Sequence, residues 1–248
     1  MLKPMDIVPV LDLLNGIVVR GVAGRRSEYL PLRSNLTTSV QPLDVARALR
    51  DVFDFSRFYV ADLDAIVHHH PNWQTYRQLI ADGFQLLVDA GIHDVAGTLS
   101  VRDCGVQPII GLESCPGPQV LSDIISANRG EITFSLDLLA GWPLLPSDSQ
   151  DWSHDPHEIV GQSVACGVTR LIVLDLADVG TSTGGRTEAL CRTLLAEFPD
   201  LKLTCGGGVR GLEDLRRIQR MGADSVLVAS ALHDGHLSAV ELRDLCTD

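Results

Sequence analysis

The chain has 248 residues, of which 45% are hydrophobic and 21% charged, a composition typical of globular proteins and unlike that of disordered or collagen-like chains. Its formal net charge of −12 leaves no basic footprint for a nucleic-acid backbone, and no apolar run approaches the roughly 18 residues that a membrane span needs. Because the N-terminus lacks the layout of a secretory signal, we expect a cytoplasmic protein that binds neither nucleic acid nor membrane.

Eight strand-like apolar runs alternate with helix-like segments along the chain. The strands begin near Ile7, Phe58, Leu86, Gln107, Ile132, Leu171, Leu201 and Ser225. Helical spacing marks residues 43–52, 73–81, 120–127, 157–166, 188–197, 212–221 and 239–246. This alternation predicts an α/β fold, a (βα)₈ TIM barrel that forms a single domain over residues 1–248. The two longest irregular stretches, 21–42 and 141–156, are then expected at the active-site face.

An internal repeat divides the chain into two halves. Leu-Asp-Leu-Leu-Asn-Gly at 11–16 returns as Leu-Asp-Leu-Leu-Ala-Gly at 136–141, and two further ordered matches follow at similar offsets. Buried parallel strands resemble one another, so part of the match is open to that explanation. We favour a barrel built from two related half-barrels.

The repeat places one aspartate at the end of the first strand and one at the end of the fifth. Asp12 and Asp137 would then face each other across the barrel mouth, where two carboxyl groups with different pKa values can serve as acid and base. Aspartate is also a common turn residue, so each could instead cap its own loop. We interpret both as candidate catalytic residues.

Small residues end the last two strands. Gly206, Gly207 and Gly208 follow the seventh strand, and Ala229 and Ser230 follow the eighth. Exposed glycine amides bind anions, and the loops after these strands are the recurrent phosphate site of such barrels. A plain tight turn is the alternative. We predict a phosphate site, and neither a cofactor nor a metal ion.

Several of these motifs resemble the isomerase and cyclase barrels of histidine biosynthesis, the HisA/HisF family. The resemblance rests on Val8-Pro9-Val10-Leu11-Asp12-Leu13, on Asp62-Leu63-Asp64-Ala65, on Ser135-Leu136-Asp137, and on the segments 206–210 and 228–232. It implies catalytic aspartates at Asp12 and Asp137. It also implies an Amadori rearrangement, in which an acid opens the ring of a phosphorylated aminoaldose and a base moves its C2 proton.

The chain departs from the family at two places. After the sixth strand the family carries Asp-Gly-Thr, whereas here Val179 precedes Gly180 and Thr181, and the acid is Asp178, one residue earlier. We retain Asp178 as a candidate catalytic residue, and Gly180 and Thr181 as candidate substrate-binding residues.

The second departure lies where the family binds its first-half phosphate. The family has a glycine triplet there, but this chain has Asp89, and Glu113 is expected nearby. These charges would repel a phosphate unless an arginine such as Arg102 offset them.

The sequence therefore favours isomerase-like or lyase-like acid–base chemistry on a phosphorylated sugar derivative other than the histidine-pathway substrate. Two alternatives remain open: the authentic histidine-pathway isomerase, and a non-catalytic paralogue that binds a phosphometabolite or a protein. We expect the run His68-His69-His70 to be a solvated loop and not a metal site.

Overall fold

The computed structural model describes residues 3–128, 132–180 and 187–247. Its strands in chain order are β1 Asp6–Leu14, β2 Ile17–Arg20, β3 Leu30–Pro31, β4 Arg57–Asp62, β5 Gln85–Asp89, β6 Gln107–Gly111, β7 Thr133–Leu139, β8 Trp142–Pro143, β9 Arg170–Asp175, β10 Lys202–Gly206 and β11 Ser225–Val228. The parallel order is β1-β4-β5-β6-β7-β9-β10-β11, and β11 pairs again with β1. The predicted (βα)₈ barrel is confirmed.

Helices cover the outside of the barrel. They are α1 Pro42–Phe53, α2 Leu63–His68, α3 Trp73–Ala81, α4 Val95–Asp103, α5 Pro118–Ala127, α6 Pro156–Ala165, α7 Glu188–Glu197, α8 Leu212–Met221, α9 Ser230–His233 and α10 Ala239–Thr247. Short 3-10 turns span Arg26–Glu28 and Leu176–Asp178. No helix in the described residues is long and apolar enough to cross a membrane.

Three of these helices were not predicted from the sequence: α2, α4 and α9. Helices α2 and α9 are too short for a 3.6-residue period to show, and α4 is only weakly amphipathic. Side-chain caps mark the N-termini of α2 and α4 instead. Asp62 accepts a hydrogen bond from the Ala65 amide, and Asp94 accepts one from the Gly97 amide.

The hydrophobic core has two layers. The larger one lies between the strands and the surrounding helices. The smaller one fills the barrel itself and consists of Val8, Tyr59, Ala61, Leu87, Ile109, Ile172 and Leu227. Because these side chains fill the barrel, the space above them at its C-terminal end has an apolar floor.

The strand registers repeat in the two halves of the barrel. Leu13 on β1 pairs with Asp62 on β4, and Leu138 on β7 pairs with Asp175 on β9. Residues 13 and 138 differ by 125, which is the offset of the repeated motif, so the two pairs are equivalent positions in the two halves. The registers therefore agree with the repeat read from the sequence.

The hairpins that follow β1 and β7 also match. Each has a two-residue turn with positive φ at both positions, 53° and 73° at Asn15 and Gly16, and 53° and 86° at Ala140 and Gly141. This is the turn whose twist suits two antiparallel strands.

Candidate active site

A cavity of about 810 Å³ opens at the C-terminal end of the barrel. Its wall carries four acidic side chains from different strand ends, Asp12, Asp89, Glu113 and Asp137, and one basic side chain, Arg26. Catalytic residues of such barrels occupy this face. The sequence-predicted pair Asp12 and Asp137 thus lies on one cavity.

Asp12 comes from β1, where it pairs with Ala61 of β4. No described residue donates a hydrogen bond to it. Burial raises the pKa of Asp12 from 3.8 to about 7, although Arg26 offsets part of the effect. A carboxyl group with such a pKa can both accept and release a proton near neutral pH.

Asp137 comes from β7 and is 3% exposed. The Ser135 hydroxyl donates a hydrogen bond of 2.6 Å to its Oδ1, whereas its buried Oδ2 has no hydrogen-bond partner in the described residues. Burial and the charges of Glu113 and Asp89 raise the pKa of Asp137 well above 3.8, and the Ser135 hydroxyl and the nearby Glu113 amide lower it only in part. Burial therefore favours the protonated form of Asp137.

The loop-capping alternative for Asp12 and Asp137 loses support, because other aspartates hold the two hairpins. Asp64 accepts hydrogen bonds from the amides of Asn15 and Gly16. Asp175 accepts equivalent bonds of 2.9 and 2.8 Å from the amides of the second hairpin turn. Asp12 and Asp137 are left to face the cavity.

The predicted phosphate-binding residues form another part of the same wall. Gly207, Gly208, Ala229 and Ser230 all line the cavity, with φ of 91° and 72° at the two glycines. The amides of Gly207, Gly208 and Ser230 donate no hydrogen bond to another described residue. A side chain at Gly207 would be strained by its φ and would meet the Asp175 carbonyl oxygen at 3.0 Å.

Gly206 differs from its two neighbours. It is buried at the end of β10 and lies outside the wall of the main cavity. An added Cβ would lie 2.9 Å from Leu174 Cδ1, so packing against the barrel interior already explains the absence of a side chain. A phosphate-binding role for Gly206 stays a prediction.

The segment after β9 places Val179 and Gly180 on the cavity wall. Asp178 is 1% exposed and is not among the residues lining the cavity, and its Cβ lies 3.4 Å from where a Cβ on Gly207 would be. Its catalytic role stays a prediction. Thr181 lies outside the described residues.

Sequence reasoning missed the arginine of this site. Arg26, in the 3-10 turn of the loop after β2, donates from Nη2 to both carboxylate oxygens of Glu113, at 2.7 and 2.8 Å. Arg102, which the sequence suggested as the offsetting charge, instead lies 3.5 Å from the Asn128 side-chain oxygen and outside the cavity wall. One of 18 arginines in an irregular loop carries no pattern that could have identified Arg26.

Two tyrosines also line the cavity, and the sequence did not single them out. Tyr59 is a barrel-interior residue of β4, and burial together with nearby carboxylates raises its pKa well above 10. Burial and then Asp12 raise the pKa of Tyr29 to about 12. Both therefore stay neutral hydrogen-bonding groups at physiological pH.

The described residues contain no group of three or more His, Cys, Asp or Glu arranged to hold a metal ion. His68, His69 and His70 are exposed, with His68 at the end of α2 and not in a loop as predicted. Trp142 is 74% exposed, whereas Trp152 is buried and stacks on Phe134.

The chain matches the family described as Histidine biosynthesis protein over residues 6–238. It is 32% identical to an uncharacterized protein of Methanocaldococcus jannaschii over 96% of this chain and 97% of the relative. It is also 25% identical, over 96% of both chains, to the 1-(5-phosphoribosyl)-5-((5-phosphoribosylamino)methylideneamino) imidazole-4-carboxamide isomerase of Carboxydothermus hydrogenoformans. The isomerase of that name from Thioalkalivibrio sulfidiphilus is 27% identical over 97% of this chain and 99% of its own length. The barrel, its cavity and this match over nearly the whole chain agree: the protein is a divergent member of the histidine biosynthesis (HisA/HisF) family.

Proposed function

We propose that this barrel is an isomerase that uses aspartate acid–base chemistry on a phosphorylated sugar derivative. One observation carries the proposal: Asp12 and Asp137 share a cavity wall with the amides of Gly207, Gly208 and Ser230, which donate to no described residue. A phosphate held on those amides anchors the substrate, and the two carboxyl groups then act on the part of the sugar above the apolar floor.

The surroundings of the two carboxyl groups assign their roles. Asp137, whose pKa burial raises well above 3.8, donates its proton to the ring oxygen as the C1–O bond breaks, and the nitrogen lone pair forms C1=N to leave a protonated imine. Asp12, whose pKa is about 7, removes the C2 proton, the electron pair of that C–H bond forms C1=C2, and the π pair of C1=N returns to nitrogen to give an enaminol. Tautomerisation of the enaminol then gives the aminoketose. If a leaving group stood beyond C2, the same pair would support elimination, which is the lyase variant.

The relatives named as isomerases support this reaction type, but the acidic end of the cavity argues against their substrate. Their name contains two phosphoribosyl groups. Asp89 and Glu113 lie on this cavity wall, where the resemblance to the family implies the second phosphate. We therefore propose a substrate with one phosphate.

Solvent exchange tests the function without knowledge of the final product. We expect the protein in ²H₂O to exchange the C2 hydrogen of at least one phosphorylated aminoaldose from a panel of N-substituted aldosylamine phosphates, as followed by ¹H NMR. Asp12→Asn should abolish the exchange. If the folded protein exchanges no member and still binds them, the non-catalytic phosphometabolite-binding alternative replaces the proposal.

A further inference from the structure

The end of the cavity at β5, β6 and β7 is built from acceptors. Asp89 Oδ2 and Asp137 Oδ2 flank Gly111 so closely that an added Cβ there would lie 2.9 and 3.0 Å from them. Asp89 is 2% exposed, and its Oδ1 already accepts a hydrogen bond from the Gly91 amide. A residue with a side chain at position 111 would separate the two carboxyl groups, so the glycine permits their approach.

One of these oxygens lacks the partner that burial demands. Asp137 Oδ2 is buried on the cavity wall and accepts no hydrogen bond from a described residue. Buried polar atoms in native proteins are nearly always paired, because an unpaired one costs free energy. A donor belonging to a ligand is the partner that this geometry leaves room for.

The charges at this end define the ligand. Arg26 is the one cationic side chain on the described cavity wall, and its Nη2 donates to both carboxylate oxygens of Glu113. Asp89, Asp137 and Asp12 thus share the cavity with this single described arginine, whose charge lowers the pKa of Asp12 and Asp89 only in part. A second phosphate would add negative charge beside them, and a neutral hydroxyl would leave their mutual repulsion in place.

We propose that the Asp89–Asp137 end of the cavity binds a protonated amine or amidinium of the substrate. The substrate then carries a phosphate at one end and a basic nitrogen at the other, and this placement of the phosphate rests on the proposed function. The raised pKa of Asp89, about 7 through burial and then Glu113, agrees with this site: a proton neutralises the empty Asp89 carboxyl group and a cation replaces it, while Asp137 keeps the proton that it donates to the ring oxygen.

Flexible probes test the assignment without the natural substrate. Calorimetry at about pH 7.5 compares ω-aminoalkyl phosphates of several chain lengths with the matched ω-hydroxyalkyl phosphates and alkanediol bisphosphates. We expect the best amine to bind at least about 10-fold more tightly than its hydroxyl counterpart, and the bisphosphate to bind most weakly. An amine that binds no better than the hydroxyl at every length, or no detectable binding of any amine, overturns the proposal.

Unphosphorylated amines and alcohols separate this inference from the proposed function. If the phosphate group adds no affinity but amines still bind more tightly than alcohols, the proposed phosphate site is wrong and the amine site is supported. If the phosphate group adds affinity but amines bind no more tightly than alcohols, the phosphate site is supported and the proposed amine site is wrong.

The Asp89→Asn, Glu113→Gln double variant gives a second readout. It replaces two carboxylates with uncharged amides of similar shape and removes the ion pair of Arg26. The preference for the amine should therefore disappear, and the bisphosphate should bind more tightly. The matched control is Asp103→Asn, which neutralises a side chain that is 74% exposed and does not line the cavity. Should the double variant fail to fold, the wild-type probe series alone decides. A folded double variant that keeps the amine preference contradicts the assignment.

Discussion

Asp12 and Asp137 occupy the same position in the two halves of the barrel. Each precedes a leucine, Leu13 or Leu138, that pairs with a buried aspartate of the neighbouring strand. Their surroundings nevertheless differ. Asp12 has no donor among the described residues and a pKa of about 7, whereas Asp137 is bonded to Ser135 and its pKa lies well above the ordinary value. A repeated motif thus supplies two carboxyl groups, and their environments separate an acid from a base.

Replacing either carboxyl group should therefore remove activity without unfolding the protein. We expect Asp12→Asn and Asp137→Asn each to lower turnover by at least ~100-fold, the usual scale for the loss of an acid–base group. Steady-state kinetics on the substrate found by the exchange assay, together with thermal unfolding, measures both effects. Wild-type turnover in one variant would remove that residue from the mechanism.

The aspartates of the adjoining strands should behave in the opposite way. Asp175 is fully buried and accepts hydrogen bonds from the amides of Ala140, Gly141 and Ala177. We expect Asp175→Ala to lower the free energy of unfolding by about 1–3 kcal/mol, because three backbone amides lose their acceptor. Denaturant unfolding measures this loss. An unchanged midpoint would show that the hairpin finds other acceptors.

The sequence allowed the barrel and half of the site to be predicted, for physical reasons that differ by residue. Asp12 and Asp137 stand in a repeated six-residue motif, so local pattern alone identifies them. Arg26 lies in an irregular loop, and its approach to Glu113 depends on a tertiary contact between residues 87 positions apart. The sequence indicated only that Asp89 and Glu113 would repel a phosphate. It shows which charges are present, but not that a buried atom such as Asp137 Oδ2 lacks a hydrogen-bond partner in the described residues.

The buried carboxyl groups predict an unusual dependence of stability on pH. Burial and then Glu113 raise the pKa of Asp89 in the folded protein from 3.8 to about 7, so folding favours the protonated form. The stability that this group supports is complete below about pH 4 and is lost as the pH rises through 7. Since Asn cannot ionise, Asp89→Asn should gain about 2–3 kcal/mol relative to wild type between about pH 5 and pH 8.

Urea unfolding at both pH values measures that gain. The comparison with wild type cancels His233, whose pKa burial lowers to about 4 and which acts in the opposite direction. Asp103→Asn, at an exposed position, should show no such pH dependence. A gain that is equal at the two pH values would mean that Asp89 is ionised in the folded protein throughout.

An anion is expected at the glycine-rich end of the cavity. Sulfate or phosphate should bind the amides of Gly207, Gly208 and Ser230, because these amides line the cavity and donate to no described residue. A crystal grown with either anion, or ¹⁵N shifts of these amides during a phosphate titration, measures the binding. Ordered loops with water alone at this place would refute the prediction.

The protein is not expected to restore growth without histidine to a strain that lacks the histidine-pathway isomerase. The substrate named for that enzyme has two phosphoribosyl groups, and losing one phosphate anchor removes binding energy that orients the ring for proton transfer. Here Asp89 and Glu113 lie on the cavity wall where the resemblance to the family implies that phosphate, and Arg26 Nη2 already donates to Glu113. A carboxylate about 4 Å from a phosphate charge costs roughly 4 kcal/mol at an effective dielectric constant near 20, or about a thousandfold in affinity. In addition, Val179 lines the cavity at the position where the resemblance to the family implies an acid. Complementation with an authentic isomerase as positive control, and with expression verified by immunoblotting, measures this outcome, and robust growth would restore the histidine-pathway assignment.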